Sequence, residues 1–408
     1  MTSQLAWLDY SDSERRKALT VIDLFNEHDT RDELGIGSIR DYFSEELAPG
    51  TSVLQSRARY FLFIPWIYQK LEKKHLPYHQ ISVQARRHET RLIDALIRGD
   101  AGGGVIGRVA GQHIIMLPSN IYWAGLARWG IRQNVGSVDD YHRDLARGRS
   151  RQYNGSEEGD RLLAQGGPWW HDNIPAPPDD FLDETDFQLT KTEAGYLTER
   201  IRFLNGDSLL SHLVTQTTPI LCDFPWQHPE AAQFPASLKR TLKQAERFSL
   251  VMHGASLLYN LLLADIKNGN RDVEQPGYYQ DKLDLWWGTL RRSHRLLSNW
   301  DLDAFWKETY QTRPDQLGSE RRIPRRTEMF CGEWIKQVLG NLHTASWKKL
   351  KKTASGLIRK REYQLKRPRA RLFNPRALEN WTGNAGTQQL NYRWPIVQGL
   401  VADILTPE

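Results

Sequence analysis

The residues best suited to chemistry in this chain are cations crowded near its C-terminal end. Between Lys348 and Arg376 the sequence has twelve Lys or Arg residues and one acidic residue, Glu362, a net charge of +11 over 29 residues. The remainder has 43 basic and 48 acidic residues, so the positive charge is local. Neighbouring cations neutralise successive phosphates of a nucleic acid and release condensed counterions. The segment therefore indicates a localised contact with a polyanion.

The apolar residues of this segment recur at helical spacing and predict an amphipathic helix over residues 347–366. Its apolar face would contain Trp347, Leu350, Ala354, Leu357, Ile358 and Leu365. Its polar side would present the candidate phosphate contacts Lys348, Lys349, Lys352, Arg359, Lys360 and Lys366. Pro368 would end the helix. Arg369 and Arg371 are further candidate contacts in the loop that follows, and Arg376 extends the charge.

Two other interpretations of the basic segment stay open. A solvated face can serve solubility alone, although six cations close together repel one another unless something anionic offsets them. A membrane surface also attracts cations, but here the apolar face is needed for packing against the rest of the protein.

A second candidate contact lies in the N-terminal half. Residues 35–47 and 53–71 have helical periodicity, with a break between them and a further interruption at Pro65, and so resemble a helix-turn-helix. Arg57 and Arg59 would lie near the start of the second helix, where DNA-reading side chains are found. An ordinary pair of antiparallel helices has the same pattern and is commoner.

Motifs for catalysis or metal binding are weak. The glycines of Gly102–Gly107 have the spacing of a phosphate loop, but the Lys and Ser/Thr that hold phosphates and magnesium are missing. His171 and Asp172 have no second ligand pair at suitable spacing. Asp265–Lys267 and Glu333–Lys336 resemble carboxylate–lysine nuclease motifs, yet both lie in helical periodicity and not on a strand. We therefore predict no metal site, no cofactor and no catalytic residues.

The elements that would position these residues are mainly helical, and we predict a mainly α protein of two helical domains. Residues 1–165 would form the first domain, with the helix-turn-helix-like pair and a small β-hairpin over 102–117. Residues 166–186, rich in proline, would form a connector, and 187–408 a helical bundle. Predicted helices cover 11–24, 89–98, 121–129, 237–266, 282–297, 301–310 and 328–339, with a further helix after the capping box Thr190–Glu193.

Composition excludes several classes of protein. Only two cysteines occur, so a disulfide framework is not expected. No apolar run approaches the ~18 residues of a membrane span, and the first residues lack the features of a signal peptide. We predict a cytoplasmic protein without membrane contact.

Four stretches resemble a bacterial family of unknown function associated with anti-phage defence loci. They are Leu34–Asp41, Arg57–Trp66, Pro118–Trp123 with Trp129–Arg132, and His253–Asn260. The resemblance spans most of the chain and implies helicases and phospholipase-D-like nucleases as neighbours, without implying catalytic residues.

Together these features favour a non-catalytic, nucleic-acid-contacting subunit of a multi-protein system, with DNA expected ahead of RNA and a helicase or nuclease as partner. The alternative is an enzyme, most plausibly a nuclease, whose carboxylates converge from distant positions. A nuclease should show two or more acids clustered beside the basic face, whereas a binding subunit should not.

Overall fold

The secondary structure is almost entirely helical. A computed structural model describes residues 32–148, 151–152, 163–164, 168–268, 275–310, 323–383 and 385–408. The first helices are α1 Gly37–Leu47, α2 Tyr60–Glu72, α3 Tyr78–Arg98, α4 Pro118–Arg128, α5 Val138–Ala146, α6 Lys191–Asn205 and α7 Leu209–Leu213. They are followed by α8 Ala236–Asn268, α9 Gln275–Arg292, α10 His294–Ser298, α11 Leu302–Tyr310, α12 Arg325–Asn341, α13 Lys348–Lys366, α14 Pro375–Glu379 and α15 Trp394–Leu405.

Short 3-10 turns and one small strand pair complete the described secondary structure. The 3-10 turns are Gly111–His113, Pro225–Gln227, Pro229–Gln233 and Arg367–Arg369. The two-residue strands β1 Arg151–Gln152 and β2 Leu163–Ala164 pair antiparallel. The mainly helical prediction is confirmed, and the predicted helix over 11–24 lies outside the described residues.

Helix α8 is the centre of the C-terminal half. It packs against α9, α12 and α13, and also against α1 from the other end of the chain. Over residues 236–267 it is long and apolar enough to cross a membrane, but 78% of its most apolar window is buried inside the protein. The helix thus has the environment of a core helix.

The buried core crosses the predicted domain boundary. One hydrophobic cluster includes residues from Leu34 to Ile404. The ring of Phe43 on α1 lies 6.2 Å from that of Phe248 on α8 and 5.4 Å from that of Tyr392. The connector is itself docked, since Trp66 Nε1 donates a hydrogen bond to the carbonyl oxygen of Pro175 at 2.7 Å. The structure therefore gives no support to a two-domain layout.

The hairpin predicted over 102–117 does not form. These residues make a series of turns and the 3-10 turn Gly111–His113. Gly102, Gly104, Gly107 and Gly111 all have positive φ, between 50° and 94°, which bends the chain at each of them. The glycines thus serve turns, and neither a strand nor a phosphate loop is present in this segment.

Candidate nucleic-acid interface

Helix α13 is amphipathic, as the sequence predicts. Leu350, Ala354 and Ile358 are buried, and the helix packs on α8 and α12. Trp347, directly before the helix, is also buried and donates from Nε1 to Asp284 Oδ1 at 2.7 Å. This apolar face fixes the orientation of the helix, so the side chains on the opposite side point to solvent.

Five of the predicted contacts form what we call the outer basic face. Lys348, Lys349, Lys352 and Lys360 are exposed and Arg359 is half-buried. At 100° per residue these five lie within a sector of about 120°. They extend along about 18 Å of helix, the length of about five base steps along a duplex.

The outer basic face has no acidic partner in the described part of the chain. None of its five cations forms a salt bridge with a described residue, whereas neighbouring Lys351 is paired with Asp265 at 2.8 Å. The one carboxylate between residues 348 and 376, that of Glu362, is fully buried. Its charge is directed into the protein and therefore does not offset the surface charge.

Lys366 and Arg371, also predicted as phosphate contacts, lie instead in an inner ion network with Glu33, Glu362 and Tyr259. Lys366 Nζ pairs with a carboxylate oxygen of Glu33 and lies 3.0 Å from the Tyr259 hydroxyl, and Arg371 pairs with Glu33 at 2.9 Å. Burial alone would raise the pKa of Glu33, but the two cations lower it below its ordinary value. Their charge is already matched inside the protein, so we leave these two residues out of the outer basic face, and their contact with nucleic acid stays an untested prediction.

Glu362 is the centre of the inner ion network. It accepts hydrogen bonds from the Tyr259 hydroxyl at 2.6 Å and from the backbone N–H groups of Arg371 and Leu372, both at 2.9 Å. Its Oε1 also lies 3.3 Å from Lys366 Nζ. The network thus ties the loop after α13 to the core. Arg369 in that loop is exposed and stays a candidate contact.

Arg57 and Arg59 are also held by internal partners. Arg57 forms an ion pair with Asp403, with Nε and a terminal nitrogen 2.9 and 2.8 Å from Oδ1. Arg59 is 6% exposed and pairs with Asp186 and Glu193. Neither begins a recognition helix, because α2 starts at Tyr60. Both arginines are therefore engaged inside the protein, and their contact with DNA stays an untested prediction.

An exposed pair of aromatic rings adjoins the outer basic face. Tyr363, one turn after Arg359, is 47% exposed, and Phe373 is 55% exposed. Their ring centroids are 5.4 Å apart, with the rings edge to face. Helical periodicity places Tyr363 on the cationic side of α13, but no local pattern in the sequence predicts that Phe373 contacts it.

The weak catalytic motifs have ordinary structural surroundings. His171 lies 3.0 Å from Arg200, and burial together with that cation lowers the pKa of the imidazole. Lys267 donates to the carbonyl oxygen of Trp381. Within the described ranges, no three His, Cys, Asp or Glu residues lie together in a way that could hold a metal ion.

Comparisons with known proteins agree with the resemblance at the level of the family. No curated protein and no solved structure matches the chain. A family model described as a family of unknown function, DUF6361, matches residues 2–406. The match covers nearly the whole chain, and the protein therefore belongs to the DUF6361 family.

Proposed function

We propose that the protein is a non-catalytic, cytoplasmic subunit that binds nucleic acid through the outer basic face. The observation that carries the proposal is that five cations on one side of a firmly packed helix have no acidic partner among the described residues, while their neighbours in sequence are paired internally. Such a face gains free energy from a phosphate backbone, because each neutralised phosphate releases counterions.

The contrast with neighbouring cations favours this proposal over a purely solubilising surface. A solvated surface keeps both signs of charge interspersed. Here the acids that form ion pairs with α13 and the loop after it, Glu33, Glu362 and Asp265, are each matched by Lys366, Arg371 or Lys351. The unpaired charge on α13 is therefore all positive and lies on one side of the helix, as expected of a surface that binds a polyanion.

The same pairing bears on the rival proposal of a nuclease. Two-metal and general-base hydrolysis need carboxylates that can reach a metal ion or water in a cleft. Glu33 and Glu362 lie close to α13, but both are buried and accept hydrogen bonds from cations and backbone groups. This arrangement favours binding over hydrolysis. We expect DNA as the ligand ahead of RNA, and we include a defence-associated helicase or nuclease as a proposed partner.

The test measures how the affinity for a short blunt DNA duplex depends on salt. The variant changes Lys348, Lys349, Lys352, Arg359 and Lys360 to Gln. Each phosphate contact contributes about −0.9 to the slope of log K against log salt, so loss of all five should flatten the slope by up to about 4.5 units. Glutamine retains helix propensity and none of the five is in the core, so the variant should fold.

A charge-matched control separates local contact from net charge. Changing Lys239, Lys243, Arg291, Arg295 and Lys336 to Gln removes the same charge from exposed positions on other helices. We expect this control to keep nearly the wild-type slope. Equal flattening in both variants, or no change in the first, would overturn the proposal.

A further inference from the structure

The aromatic pair defined by Tyr363 and Phe373 has the features of a stacking site. Single exposed apolar residues are common on protein surfaces and carry no meaning by themselves. Here two large rings are each about half exposed and contact one another, on the side of α13 that carries the outer basic face. Bases of unpaired nucleic acid stack on such rings while cations beside them contact the phosphates.

The backbone around Phe373 is held in place. The N–H group of the preceding residue, Leu372, donates to buried Glu362 at 2.9 Å. The next residue, Asn374, donates to the carbonyl oxygen of Pro368 at 2.7 Å, and its side chain caps α14 by accepting from Ala377 N at 3.2 Å. A ring presented by a fixed backbone loses little conformational entropy on binding, so the site is preorganised for a flat partner.

The spacing of charge and rings suggests a particular shape of ligand. Arg359 and Lys360 lie one turn before Tyr363 on α13, and exposed Arg367 and Arg369 follow it. Paired bases inside a duplex are already stacked on each other and offer no free face to a side chain. A base at a single-stranded end is available, and its phosphates continue those of the adjoining duplex.

We propose that the aromatic pair stacks on an unpaired base, so that the preferred ligand is a duplex with a single-stranded extension. This inference rests on the proposed function, because the outer basic face must hold the adjoining phosphates. The pair adds a contact that is tolerant of base identity, since every base has a π-face. The protein would thereby distinguish DNA ends and junctions from continuous duplex without reading sequence.

The experiment compares a blunt duplex with the same duplex extended by about six unpaired nucleotides that include 2-aminopurine. The wild-type protein should bind the extended duplex roughly tenfold more tightly or better, and stacking should quench the 2-aminopurine fluorescence. The double variant Tyr363→Leu, Phe373→Leu should bind the blunt duplex as wild type does, lose the preference and leave the fluorescence unquenched. Tyr363→Trp should retain the preference.

The controls separate this inference from the proposed function. Phe203→Leu with Tyr278→Leu removes two exposed rings elsewhere, 75% and 51% exposed, and should change neither measurement. Equal wild-type affinity for both ligands, or an unchanged preference in the aromatic-pair variant, overturns the stacking inference alone. Failure of the wild-type protein to bind either ligand overturns the proposed function and this inference with it.

Discussion

The sharpest test of the inner ion network is the substitution Glu362→Gln. The change preserves the size of the side chain and removes its negative charge. Glu362 is fully buried and accepts from the Tyr259 hydroxyl and two backbone N–H groups, with Lys366 Nζ at 3.3 Å. A glutamine has one acceptor oxygen and turns an NH2 group toward these donors, so at least one buried donor loses its acceptor.

The expected loss of stability follows from these contacts. A buried donor without an acceptor costs about 1–3 kcal/mol. Lys366 and Arg371 would then share one carboxylate, that of Glu33, and removing one partner of a buried pair costs about 3–5 kcal/mol. The side chains of Lys366 and Arg371 are 21% and 13% exposed, so solvent screens part of this cost. We expect the free energy of unfolding to fall by about 3 kcal/mol.

Urea denaturation followed by tryptophan fluorescence measures this change, with Glu379→Gln as the matched control. Glu379 is exposed on α14, so its substitution should change stability by less than about 0.5 kcal/mol. A loss below about 1 kcal/mol for Glu362→Gln, with an unchanged slope against denaturant, would refute the reasoning. Such a result would mean that the loop after α13 is held by other contacts and that Phe373 is not fixed through Glu362.

Two further predictions concern the rest of the molecule. Burial raises the pKa of Glu89 from 4.5 to about 7, although the hydrogen bonds that the carboxylate accepts from Ser119 lower it in part. The unfolded chain therefore releases this proton at lower pH, and stability should fall by about 3 kcal/mol as pH rises through the window from 4.5 to 7. Glu89→Gln should remove this dependence in urea titrations near pH 5 and pH 8. Because the core crosses the predicted boundary, fragments 1–165 and 187–408 expressed separately should both lack a cooperative unfolding transition; such a transition in either fragment would restore the two-domain layout.

Local sequence signals predicted many of the helices. The capping box of Thr190 and Glu193 forms as expected, and the helical periodicity over 237–266 corresponds to α8. The predicted start of α2, at residue 53, was wrong, because the helix begins at Tyr60. The reason lies in contacts with residues far away in the sequence. The N–H groups of Ser56 and Arg57 lie 2.8 and 3.1 Å from the Tyr122 hydroxyl oxygen, and that of Ala58 donates to Asp403. These distant acceptors take up backbone N–H groups and favour irregular structure and turns where periodicity alone predicted helix.

Long-range contacts also limited the prediction of the nucleic-acid interface. Periodicity identified the cationic side of α13 but could not separate cations that face solvent from those that face a partner. The partner of Lys366 and Arg371 is Glu33, more than 300 positions earlier in the chain. The sequence around residue 366 therefore could not predict this pairing. Conversely, Pro65 predicted an interruption, yet α2 continues through it, because ten of its thirteen residues are buried in the core.

This division of one charged segment into two sets gives independent tests. Lys366 and Arg371 stabilise the fold through Glu33 and Glu362, so their loss should lower the free energy of unfolding and leave the salt dependence of binding nearly unchanged. The outer basic face makes no such contacts with described residues. Its loss should therefore leave the free energy of unfolding nearly unchanged and flatten the salt dependence of binding. Phe373 connects the two sets, because Glu362 anchors the loop that presents its ring. Glu362→Gln should therefore reduce the preference for an extended duplex even under conditions in which the variant remains folded.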